Sequence, residues 1–225
     1  MAINEVNQNY DNPVKQEWRM KLHSLLNTNT CIRLVDDYGR YCFKWVELVA
    51  REAKTFSYAL STGKITEDKL IGINNDNDII MSCQHIFPNA SFIYSEWDEF
   101  CLTYNKADLG VIVFDSCNAA FGSAFEKSLR LTLGQVSKSV DSIGECMLVI
   151  NVDGNKTYRG KAHKRIEDAD RITKAKMTMC DTINKILNTY DHRYIKNVTI
   201  LPNDIYQYKQ TNISSTMLSC FILFG

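Results

Sequence analysis

The chain has 225 residues, which suits one large domain, and its 45% hydrophobic and 11% aromatic content supports a sizeable core and excludes a disordered polymer. Basic and acidic residues balance at 26 each, so whole-molecule attraction to nucleic acid or to an anionic membrane is excluded, and a nucleic-acid partner needs a local basic patch. The eight cysteines stand singly, without a C-x-x-C pair or a zinc-type Cys/His cluster, and no apolar run approaches the ~18 residues of a membrane span. With a polar start that is no signal peptide, these features predict reduced thiols, a cytoplasmic location and no membrane partner.

Residues 1–30 read as an N-terminal helical extension, with an amphipathic segment over 17–26 that lies on the domain formed by 31–225. A first strand is expected at 31–35, followed by Asp36, Asp37 and Gly39. A helical segment is expected next, with Phe43, Val46, Leu48, Val49 and Ala53 as its apolar face. Residues 69–73 read as a second strand, ended by Asn74, Asn75, Asp76 and Asp78, and 79–86 as a short helix stopped before Pro88. A third strand at 90–94 leads into Ser95, Glu96, Trp97 and Asp98. The fourth, 109–114, is so continuously apolar that it must be buried on both faces, and it leads into Asp115, Ser116, Cys117 and Asn118.

A helix over 123–140 and a fifth strand over 146–152 follow. The longest helical pattern runs over 161–188. Its approach holds Arg159, Lys161, His163, Lys164, Arg165 and Arg171, a local basic face that could track phosphates, although Glu167, Asp168 and Asp170 interleave as in a solvated, salt-bridged helix. Strands over 198–208 and 216–224 close the chain as an adjacent pair. The alternation predicts an α/β Rossmann-like fold: a mostly parallel seven-stranded sheet with helices on both faces and a C-terminal antiparallel hairpin. In such sheets a ligand lies beyond the carboxyl ends of the strands, where this sequence collects its polar clusters.

The order of these segments resembles the class I S-adenosylmethionine (SAM)-dependent methyltransferases over nearly the whole of 31–225. The stretch 69–100 looks like that family's second and third strands, and 205–224 like its closing hairpin. The resemblance implies SAM as cofactor. It also implies a turn after the first strand near the methionine part of SAM, here Asp37 and Gly39. A residue holding the ribose hydroxyls ends the second strand, here Asn74 with Asp76. An adenine-contacting pair follows the third, here Glu96 and Trp97. A motif beside the transferred methyl group follows the fourth, here Asp115 and Asn118, with Asp115 orienting the acceptor.

The family's first motif carries an acid followed by two or three alternating glycines, because a Cβ there blocks backbone approach to the ligand. Asp37-Tyr38-Gly39-Arg40-Tyr41 offers one glycine, and Asn74 stands where an acid is usual. Segment 115–118 lacks the Asp/Asn-Pro-Pro-aromatic pattern of amino-methylating nucleic-acid enzymes, so the acceptor, nucleic acid or small molecule, stays open. The sequence therefore admits an active methyltransferase or a methyltransferase-like binding or structural protein without catalysis. It also admits a Mg²⁺-dependent phosphoryl-transfer or hydrolytic enzyme using Asp36, Asp37, Glu96 and Asp115, although no spacing in the chain demands a metal.

Overall fold

The most continuously apolar runs form the middle of one sheet. In the computed structural model, which describes residues 13–29, 35–116, 122–153, 168–189, 198–209 and 216–225, β4 (Leu109–Asp115) and β5 (Cys146–Asp153) are central, parallel and buried on both faces. On one side of β4 lie β1 (Lys44–Leu48), β2 (Leu70–Asn74) and β3 (Ser91–Tyr94), all parallel. On the other side, β7 (Thr216–Phe224) runs antiparallel to β5 and carries β6 (Val198–Lys209) at the edge. The resulting order is β3-β2-β1-β4-β5-β7-β6. Successive strands step outward from β1 to β3 and then return to the far side of β1, so the switch point lies between β1 and β4.

Two layers of helix cover the sheet. On one face α1 (Pro13–Asn29), α2 (Lys54–Ser61) and α3 (Asn77–Ile86) contribute Trp18, Leu22, Leu26, Phe56, Ala59 and Cys83 to a core around Trp45, Val111 and Val149. On the other, α4 (Trp97–Thr103), α5 (Ser123–Ile143) and α6 (Asp168–Thr189) pack Phe100, Leu129, Leu133, Met179 and Ile183 against Val46, Ile112 and Leu148. Local chemistry sets the boundaries. Asp76 caps α3 by accepting from the amides of Asp78 and Ile79, and Pro88 follows shortly after its end. Gly144, with φ 87°, closes α5 in the left-handed conformation that glycine adopts without cost. The N-terminal segment does more than rest on the domain: Trp18, Leu22 and Leu26 are buried with the core.

One expectation is corrected at the start of the sheet, and another falls mostly outside the described residues. The first parallel strand is Lys44–Leu48, inside the segment expected to be helical. Of the strand expected at 31–35, residues 31–34 lie outside the described residues, and Val35 makes only an isolated antiparallel bridge to Tyr41. The reason is visible in β1 itself. Trp45 and Glu47 face the α1–α3 layer and Val46 the other, and the buried acid breaks an apolar run that otherwise has strand alternation. The spacing of Phe43, Val46, Val49 and Ala53 mimics a helical stripe because it runs through a strand and then a turn.

Candidate functional site at the carboxyl edge

Moving the first strand moves the site. The turn that follows β1 is Val49-Ala50-Arg51-Glu52-Ala53, and α2 begins directly after it. Ala53 sits at φ 40°, ψ 48° in the left-handed region, which costs a residue with a Cβ about 1–2 kcal/mol. The carbonyls of Val49, Ala50 and Arg51 all accept side-chain hydrogen bonds from β2 and α3. Asn74 Nδ2 donates to Val49 O at 2.7 Å, Cys83 Sγ to Ala50 O at 3.3 Å, and Ser82 Oγ to Arg51 O at 3.2 Å.

Within β1, two residues before Val49, lies Glu47. It is buried, and desolvation pushes its carboxyl from the ordinary 4.5 up to about 8. Hydrogen bonds from Trp45 Nε1 and Thr55 and the nearby charge of buried Arg19 oppose that rise, while Asp115 adds to it. Glu47 is therefore mostly protonated at neutral pH. Its signal in the sequence is an acid set within an apolar run, followed by small residues at 50 and 53.

The expected site residues divide into two groups. Asn74, Asp76, Glu96 and Asp115 come together at the carboxyl edge. Both polar atoms of the Asn74 side chain are engaged, since Oδ1 also accepts from Asp76 N at 2.7 Å. Asp76 is the cap of α3. Glu96, at the start of α4, is exposed and accepts from Asn75 Nδ2 at 2.7 Å, which joins the ends of β2 and β3. Asp115 ends β4 beside Asn151 of β5, whose side chain accepts from Ser219; Ser219 in turn accepts from Trp18 Nε1 of α1. Asn118 and Cys117 lie outside the described residues, as do Arg159, Lys161, His163, Lys164 and Arg165 of the basic segment.

Three of the expected positions are corrected. Asp37 and Gly39 precede β1 and stand at the opposite, amino edge of the sheet. There the 36–41 loop closes on itself as Arg40 Nε and Nη2 both reach Asp36 Oδ2 at 2.9 Å while Asp36 Oδ1 accepts from the amides of Tyr38 and Arg40, and Tyr41 N donates to Lys64 O. This loop helps to line a cavity of about 350 Å³ with Thr66, Asp68 and Lys69, on the wrong side of the sheet for a nucleotide at the switch point. Trp97 does not face an adenine site. It is buried in the α4–α6 core, 5.7 Å from the Phe114 ring, and its Nε1 donates to Thr132 at 2.9 Å. The same geometry divides the carboxylates proposed for Mg²⁺, with Asp36 and Asp37 at one edge and Glu96 and Asp115 at the other. Among the described residues no group of three or more His, Cys, Asp or Glu is arranged to hold a metal, and no helix is long and apolar enough to cross a membrane.

No protein-family model matches the chain, and no curated protein is similar to it in sequence. Solved structures are similar in shape. The plantazolicin methyltransferase BpumL, solved with a pentazolic desmethylPZN analogue and S-adenosylhomocysteine (SAH), aligns with a TM-score of 0.55 and 11% identity over 97% of this chain and 88% of that one. The N-methyltransferase NodS of Bradyrhizobium japonicum, in complex with SAH, gives 0.51 and 14% over 99% and 93%. The plantazolicin methyltransferase BamL, with a triazolic desmethylPZN analogue and SAH, gives 0.50 and 12% over 93% and 91%. The fold is that of the class I SAM-dependent methyltransferases. Near the end of β1 stands the acid Glu47, and the alternating positions after it, Val49, Arg51 and Ala53, hold no glycine.

Proposed function

We propose that this methyltransferase-like chain uses its carboxyl edge for binding rather than for methyl transfer. One observation carries the reading: the β1–α2 turn keeps a left-handed residue at Ala53 but has side chains at each position where the family's pattern calls for glycine. A Cβ on Val49 or Arg51 fills the space through which a bare backbone would approach the methionine part of SAM. Isothermal titration of the purified chain with SAM and with SAH tests it. The expected result is no heat and no thermal shift at millimolar ligand; a micromolar Kd for either sinks the proposal.

A second reading, an active SAM-dependent methyltransferase, is favoured by the exposed Glu96, held by Asn75 across the strand ends and available to an exocyclic amine, and by the SAH present in the similar structures. SAM would supply the methyl group, and Asp115, with Asn118 beyond it, would orient the acceptor nucleophile for in-line attack. This reading requires SAM binding that is lost in Glu96→Ala and kept in Asp37→Ala, since Asp37 is at the far edge. A nucleic-acid acceptor would engage the basic residues between Arg159 and Arg171, and its binding would weaken steeply with salt. Unbridged thiols at Cys42, Cys83 and Cys101 support a cytoplasmic setting for either reading.

A further inference from the structure

We infer that Asn74 is a specificity-determining residue of the carboxyl edge: it clamps the β1–α2 turn, and the clamp keeps the edge closed to a SAM-type nucleoside. This rests on the reading that the edge does not hold SAM in the family's manner, and it names the residue that maintains that state.

The argument begins with three successive carbonyls. Those of Val49, Ala50 and Arg51 are each bonded by a side chain from one neighbouring unit, the end of β2 and the second turn of α3. Of the three donors, Asn74 makes the shortest contact, and its other amide atom is fixed by Asp76 N. A turn fastened in this way takes its conformation from the protein and needs no ligand to order it.

The clamp also explains why an amide replaces an acid. A carboxylate has acceptors only, so aspartate at 74 would set its oxygen against the Val49 carbonyl oxygen at the distance where Asn74 now donates. An ionised acid at 74 would therefore lose the bond that fastens Val49 O, and the turn would be held from α3 alone.

Hydrogen exchange on the whole chain tests the clamp. The amides of Val49 and Ala53 are bonded to Ile73 O at 3.0 Å and to Ala50 O at 2.9 Å, so both are protected reporters beside the turn. Asn74→Asp should accelerate both by about tenfold while the amides of β5 are unchanged. Equal acceleration throughout the sheet, or none at the turn, overturns the inference whatever the SAM titration of the unaltered chain shows. SAM titration of variants provides the second arm. Val49→Gly/Arg51→Gly/Ala53→Gly should remain unable to bind, and adding Asn74→Asp should bring a Kd in the micromolar range. Equal affinity of the triple and quadruple variants overturns Asn74 as the determinant. SAM binding by the unaltered chain defeats the functional proposal instead, and exchange at Val49 and Ala53 then judges the clamp alone.

Discussion

The indole N–H of Trp45 donates to Oε2 of Glu47 at 3.2 Å, between two side chains on the same face of β1. The same indole ring lies 5.3 Å from the His23 ring of α1. One tryptophan thus joins two buried groups whose protonation acts on stability in opposite directions.

Glu47 has its folded pKa raised from 4.5 to about 8 by burial, so its contribution is fully present below the lower value and is lost as pH rises through the higher one. Glu47→Gln keeps the shape and an acceptor and removes the proton loss. Urea denaturation between about pH 5 and pH 8.5 should show the unaltered chain losing on the order of a few kcal/mol that the variant retains. Parallel curves for the two proteins would show that Glu47 ionises freely.

His23 behaves in the opposite sense. Burial, with the charge of Lys64 adding to it, lowers its pKa from 6.5 to about 4, so its contribution is present above the higher value and lost as pH falls toward the lower. Its Nε2 is buried with no hydrogen-bond partner among the described residues, and its ring packs between Trp45 and Tyr58. His23→Phe should raise stability by about 1 kcal/mol at neutral pH and flatten the loss on the acid side. Melting temperatures at about pH 7 and pH 4.5 check both effects.

Ala53 combines a left-handed backbone with a buried methyl group. Glycine removes about 1–2 kcal/mol of backbone strain and forfeits about 0.8 kcal/mol of burial, so Ala53→Gly should fall within about 1 kcal/mol of the unaltered chain. Ala53→Val should destabilise by at least about 2 kcal/mol, because a β-branched residue is a true outlier there. Equal tolerance of both substitutions in chemical denaturation would mean that the turn is not held at positive φ.

Trp97 is a core residue, and its substitutions should read as such. Trp97→Ala should cost about 3–5 kcal/mol through the space left beside Phe100 and Phe114. Trp97→Phe should cost about 1–2 kcal/mol, because Thr132 keeps its own hydrogen bond to Ser128 O when the indole donor is lost. Urea denaturation checks both values, and a cost below about 1 kcal/mol for Trp97→Ala would place the ring outside the core.

Most of the scaffold was legible in the sequence. Continuous apolar runs specify β2, β4 and β5, and Pro88 marks the end of α3, whose cap at Asp76 the sequence reading did not find. The closing pair β6 and β7 is likewise evident from two adjacent strand patterns. The first strand was not legible, because β1 carries a buried carboxyl whose partners come from elsewhere in the fold: Arg19 from α1 and Thr55 from α2. Composition alone reads such an acid as surface. The misplaced strand then carried the glycine-turn assignment to Asp37 and Gly39, at the wrong edge. Trp97 was misread for a related reason, since an aromatic beside an acid after a strand looks like a ligand contact until α4 turns the ring inward toward Thr132.

The position of β7, after β6 in the sequence yet between β5 and β6 in the sheet, has a consequence for biosynthesis. A nascent polypeptide emerging from the ribosome can assemble β1 to β5 from crossover units, but β5 then presents a bare hydrogen-bonding edge and β6 has no neighbour to pair with. Only translation through Phe224 supplies the strand that joins them. Until then the partly made sheet is a template for pairing with other chains, and chaperone occupancy on the ribosome should concentrate in that interval.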